Sequence, residues 1–244
     1  MRKRMAKASD KTLAKAGAKA GGKAGAKAGA KAGPKRRSAE DRRAQVVAAA
    51  RKLMARHGVD GVSMRAIAKA AGVSPAALYL YFPEKIVLMA AVVDAVFEGI
   101  LANFAAARAG AAASRDPFAR LAALMDTYVA WGLAHPEEYR LLFMTRVVGV
   151  AGHRPGDPDG RPTSPNGAAT FAALAEEVER LMASGHARKA DAAMVAEQIW
   201  ASGHGLVSLM TTFPEFEWSE TEALCAGMRE TILRGIAAAG PQNG

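Results

Sequence analysis

Cysteine is nearly missing. The single thiol, Cys225, excludes an internal disulfide in these 244 residues and fits a reducing compartment. Aromatic residues are scarce at 6% while alanine is abundant, a bias that favours helix over strand. No stretch runs to eighteen consecutive apolar residues, so no membrane-spanning segment is expected. The basic N-terminus is followed by no apolar run, so no secretory leader is expected either. The histidines (His57, His135, His153, His186, His204) and Cys225 show no metal-ligand spacing. Nucleophile-elbow, phosphate-loop and dinucleotide-binding motifs are absent. Paired acids such as Glu137-Glu138 and Glu176-Glu177 read as solvated helix faces. Neither a metal, a cofactor nor catalysis is therefore expected.

What is present is a lopsided charge. The net charge is +10, yet residues 1–37 hold thirteen Lys/Arg against one acid, Asp10, or +12. The rest of the chain holds twenty bases and twenty-two acids, or −2. Lys15 to Lys35 repeats Lys-Ala-Gly units, with a glycine every few residues and no apolar face to bury. Residues 1–37 are expected to be disordered, either as a solubilising tail or as an arm that neutralises phosphates.

From Ser38 onward the apolar spacing is helical. Half of the residues are hydrophobic, enough for a substantial core. Ser38 with Asp41 resembles a capping box, Val46, Val47, Ala50, Leu53 and Met54 follow, and Gly58 ends the first helix. Ser63 caps a second, stopped by Gly72. Ser74 caps a third with Pro75 in its first turn, and Phe82-Pro83 breaks it. A long fourth helix carries Met89, Val93, Val96, Phe97, Ile100 and Phe104 on one side. A fifth opens at Asp116-Pro117, and His135-Pro136 separates it from a short sixth. Residues 149–167 read as a loop. A seventh helix carries Phe171, Leu174, Val178 and Leu181, and an eighth Val195, Ile199, Leu206 and Met210. A ninth carries Leu224, Met228, Ile232 and Ile236, with Ser219 and Glu222 as its expected capping box. The fold expected is all-α, with about nine helices and no strand. A three-helix helix-turn-helix domain over residues 38–88 precedes a larger helical domain over residues 89–240.

Residues 61–85 carry the functional signal. Two short helices meet at a tight turn, Gly72-Val73. Ala68 is small enough for a close crossing, and Val73 and Leu78 anchor the second helix on the first. That plan places the second helix in a DNA major groove. An eight-residue helix is about 12 Å long, comparable with the groove's width of about 12 Å. The run Ala71-Gly72-Val73-Ser74, then Leu78-Tyr79-x-Tyr81-Phe82-x-x-Lys85-x-x-Leu88, resembles the signature of TetR/AcrR regulators. Gly58 and Ile67-Ala68 also sit at that family's spacings. Trp200-x-x-x-His204-Gly205 is similar to the Trp-His-Gly signature of one class of TetR C-terminal domain.

The resemblance implies a role for each matching position. Arg65 reaches a base or phosphate, and Ser63 donates to phosphate or caps its helix. Ser74, Pro75, Ala76 and Ala77 form the leading edge of the recognition helix. Tyr79 and Tyr81 place hydroxyls on phosphates, and Lys85 contacts the backbone. One departure is Glu84, where the family often has a small hydroxyl residue. Another is a bare recognition edge: Pro75, Ala76, Ala77 and Leu80 offer no side-chain hydrogen bond to a base. Only Arg65 has a fork suited to guanine. Specificity is therefore expected to lean on Arg65, on thymine-methyl contacts from the alanines and on DNA shape.

Tyr128, Trp131, Tyr139, Phe143, Met144, Phe171, Trp200 and His204 are candidates for a ligand pocket between C-terminal helices, against the alternative of ordinary core. Gly203 and Gly205 suggest close helix–helix approach. The resulting expectation is a cytoplasmic, nucleoid-associated repressor that binds a palindromic double-stranded operator and answers to a small-molecule effector. It would dimerise through helices eight and nine. The alternatives are a nucleoid-like non-specific binder acting through its tail, and a helical small-molecule binder without regulatory DNA binding.

Overall fold

The Asp41 amide donates to the Ser38 hydroxyl and the Ser38 amide to the Asp41 carboxylate, both at 3.0 Å. This reciprocal cap starts α1, Ala39–His57. A computed structural model describes residues 38–144 and 164–238. The expectations for residues 1–37 and for residues 149–163 lie outside the described residues. After α1 come α2 (Met64–Ala71), α3 (Pro75–Tyr81), α4 (Lys85–Gly110) and α5 (Ala119–Ala134). They are followed by α6 (Pro136–Phe143), α7 (Pro165–Ala183), α8 (Ala192–Thr212) and α9 (Thr221–Ile236). Among the described residues there is no strand, only an isolated bridge between Ala187 and Ala237.

The described helices enclose two hydrophobic cores. One is built by α1 to α3 and the start of α4: Val46, Ala50, Ile67, Leu78, Phe82 and Leu88 are each fully buried there. Leu141 of α6 closes it. The other lies between α4, α5, α7 and α8, where Ile100, Leu121, Leu124, Val178, Leu181 and Val207 are fully buried. Each such side chain contributes about 1.5–3 kcal/mol relative to exposure. Over its best eighteen residues α4 has a mean hydropathy of 1.9, apolar enough to cross a membrane by composition. Its apolar side chains are instead divided between the two cores.

Polar clamps fix the helices around the second core. Glu177 of α7, only 1% exposed, takes Arg120 of α5 and Arg180 of its own helix at 2.7 Å each. Arg108 of α4 lies 3.7 Å away. Asp94 of α4 accepts from the Ser164 hydroxyl at 2.8 Å and from the Asn166 amide and side chain at 2.9 Å each. These bonds hold the N-terminus of α7 against α4. Gly132 lets α5 and α8 touch, since a Cβ there would lie 2.7 Å from the Val207 side chain.

Several boundaries differ from the sequence reading. The α7 cap is Ser164, whose hydroxyl accepts from the Gly167 amide at 2.9 Å, so residues 165–167 are helix rather than loop. The Ser219/Glu222 capping box does not form. Glu220 is the N-cap of α9 and makes no side-chain cap bond. On α8 the buried face is Val195, Ala196, Ile199, Gly203 and Val207, one step round from the expected stripe, which leaves Leu206 and Met210 half-buried. Gly203 does sit close to another helix, with a Cβ there 3.3 Å from the Tyr128 ring, but a Cβ on Gly205 would meet nothing within 4 Å.

Candidate nucleic-acid interface and buried cavity

The turn between α2 and α3 is built by local bonds. Gly72 takes the left-handed conformation at φ +63°, which glycine adopts without a Cβ penalty. Its amide and that of Val73 then return to the Ala68 carbonyl. Gln45 of α1 donates to the Ala71 carbonyl at 2.7 Å and pins the turn from behind. The Ser63 hydroxyl accepts from the Ala66 amide at 3.2 Å, and the Ser74 hydroxyl from the Ala77 amide at 3.1 Å. Each serine thus caps its helix and keeps its own O–H proton as a donor.

Only one face of α3 is used for packing. Leu78 is fully buried, and Ala77 and Tyr81 are half-buried. Pro75 and Ala76 are exposed, as are Tyr79 at 49% and Leu80 at 86%. Arg65, in the first turn of α2, is exposed as well. Lys85 is half-buried at the first position of α4. Phe82 ends α3, buried beneath the Arg43 guanidinium at 4.9 Å from the ring centroid. The result is a short helix anchored on its inner side and open on its outer side.

A cavity of about 480 Å³ opens in the second core, a volume suited to a small molecule. Its wall comes from α4 (Phe97, Ile100, Phe104), α5 (Leu124, Met125, Tyr128), α6 (Phe143), α7 (Thr170, Phe171, Leu174) and α8 (Glu197, Ile199, Trp200), with Gly167, Ala201, Gly203 and Met228 completing it. Behind the wall runs a polar network. The fully buried Tyr139 donates to the His204 carbonyl at 2.9 Å and lies 2.7 Å from His204 Nδ1. A phenol has one proton, so the network assigns a proton to Nδ1, which donates to Tyr139. The Tyr128 hydroxyl is 3.3 Å from the same nitrogen and accepts from Trp200 Nε1 at 3.3 Å. Burial pushes the Tyr128 phenol far up, pushes Tyr139 up to about 12, and lowers His204 below its usual 6.5. All three are neutral at neutral pH.

Two family models match this chain. The model for bacterial regulatory proteins of the tetR family covers residues 46–92, and that for the tetracyclin repressor-like C-terminal domain covers residues 121–226. The chain belongs to the TetR family. A solved protein of unknown function from Rhodococcus sp. RHA1 is similar at 27% identity and TM-score 0.68, over 84% of this chain and 99% of that one. A TetR-family regulator from Marinobacter aquaeolei VT8 matches at 20% identity and TM-score 0.59, over 82% and 97%. Another from Pectobacterium atrosepticum matches at 23% and 0.58, over 83% and 99%. No curated protein matches. The TetR chain is thus a DNA-binding transcriptional regulator with an N-terminal helix-turn-helix.

Of the residues singled out in the sequence, Ser63, Arg65, Ser74, Pro75, Ala76, Ala77, Tyr79, Tyr81 and Lys85 lie on or beside the α2–α3 unit. Of the pocket candidates, Tyr128, Phe143, Phe171 and Trp200 line the cavity. The other four are not in its wall. Tyr139 and His204 form the network behind it. Trp131 stacks on His135 with centroids 5.8 Å apart, and Met144 is 48% exposed past the end of α6. Phe97, Ile100 and Phe104 do line it, although their spacing on α4 reads as ordinary core. A stripe facing a hollow has the same periodicity as one facing a packed neighbour.

Proposed function

We propose that this TetR chain is a dimeric repressor that binds a palindromic operator through α3 and releases it when a small molecule fills the cavity. The open outer face of α3, whose inner face is anchored by the fully buried Leu78, is the observation that carries the reading. A free, pre-organised helix of this length fits a major groove. The cavity supports the effector half of the proposal. It shares α6 with both cores: Leu141 packs against the first, while Tyr139 and Phe143 pack in the second. Arg51 of α1 holds Glu138 of α6 through two bonds of 2.7 Å, so a ligand that moves α6 bears on the helix-turn-helix directly. The half-buried apolar residues of α9 and the exposed Leu209, Phe213 and Phe216 beside it support a second copy as the dimer partner. The regulator acts on the nucleoid, in the cytoplasm.

Selection of bound duplexes from random DNA tests this reading. The expected product is an inverted repeat whose half-sites lie about 34–36 Å apart, one helical turn. Enrichment of no sequence, or of an unpaired half-site, would overturn it.

A further inference from the structure

Resting on the reading of the cavity as an effector site, we propose that it takes an uncharged, mostly hydrocarbon aromatic ligand whose single hydroxyl or carbonyl group bonds the Tyr128 hydroxyl. The wall is dominated by rings. Phe143 meets Phe97 and Trp200 at centroid distances of 6.1 Å, and Trp200 meets Phe171 at 6.3 Å, all at steep angles. A planar aromatic ligand extends this edge-to-face packing. No Lys, Arg or His stands among the described wall residues, so an anion would enter without a counter-charge. A cation would leave water for hydrocarbon, with Glu197 held at an exposed position. Burying an unpaired charge costs far more than a ligand's apolar contacts return.

The polar groups of the wall and of the network behind it differ in how firmly they are engaged. The Thr170 hydroxyl donates to the Asn166 carbonyl at 2.7 Å. Tyr139 is locked on His204 by contacts of 2.7 and 2.9 Å. Beside its interaction with the Tyr139 hydroxyl, the Tyr128 hydroxyl has two long contacts, each 3.3 Å. These are the longest contacts in the network, and Tyr128 is its tyrosine that lines the cavity. A ligand oxygen there replaces weak bonds with a better one.

Calorimetric titration of the full chain at pH 7 tests the proposal with four probes of one bicyclic shape: 2-naphthol, naphthalene, 2-naphthoate and 2-naphthylmethylammonium. The neutral naphthol is expected to bind at least about ten-fold tighter than either ion. Tyr128→Phe is expected to weaken naphthol about 3- to 10-fold and to leave naphthalene unchanged. The charge series on the unmodified chain stands even if the variant folds poorly. Tighter binding of either ion, no binding of naphthol, or an equal loss of both neutral probes in the variant would overturn the proposal. DNA affinity is measured separately. If naphthol binds and DNA affinity does not change, the effector reading fails while the ligand class holds.

Discussion

An 86% exposed leucine is an expensive surface residue unless something covers it. Leu80 follows Ala76 by one helical turn on the outer face of α3, so the two form an apolar ridge where a base-reading helix would usually carry donors and acceptors. The matching feature in a major groove is the thymine methyl. Replacing thymine by uracil at the contacted positions of a selected duplex is expected to weaken binding by about 0.8 kcal/mol per methyl removed. Leu80→Ser should remove most of that difference, measured by fluorescence anisotropy. Equal affinity for both duplexes would rule the ridge out as a reader. A second residue-scale prediction concerns His204, whose pKa burial lowers below 6.5. As pH falls the unfolded chain takes up the proton first. The stability due to neutral His204 is therefore complete above 6.5 and is lost below it, down through the folded value. Melting temperatures of the native chain should fall between pH 7 and 5.5, and His204→Gln should flatten that slope. Parallel slopes would contradict the assignment.

Element boundaries divide into those set locally and those set by packing. Ser38, Ser63, Ser74, Gly58 and Gly72 announce the first three helices because a cap is a bond between near neighbours in sequence. The helix-turn-helix was therefore legible almost residue by residue. The start of α9 was not, since Ser219 and Glu222 suit a box that the approach from the preceding loop does not form. The cavity was legible only in part. Tyr128 and Tyr139 look alike in sequence, and only the placement of α6 against α8 puts one on the wall and the other behind it. The Glu177 clamp was also hidden, because Glu176-Glu177 reads as a solvated pair while α7 buries its second member between α4 and α5. Glu177→Gln leaves Arg120 and Arg180 without their counter-charge. It is expected to cost roughly 3 kcal/mol, the low end for a broken buried pair, because both arginines are about a third exposed. Urea unfolding would show it as a lowered midpoint; an unchanged midpoint would mean the clamp contributes nothing.

At the scale of the whole molecule, two sources of DNA affinity compete. Residues 1–37 carry +12 and the remainder −2, so the tail can supply phosphate neutralisation that carries no sequence information. Deleting it should weaken binding and reduce the salt slope by about 0.9 for each phosphate no longer neutralised, with the selected sequence unchanged. Complete loss of binding would make the tail, not α3, the principal anchor on DNA. The placement of α3 in the groove is tested most directly by a change of specificity. Ala76→Gln adds, at an exposed position, a side chain suited to adenine. Repeating the selection with this variant should yield a new adenine preference at one position in each half-site. The same consensus bound with the same affinity would mean that α3 never meets the bases.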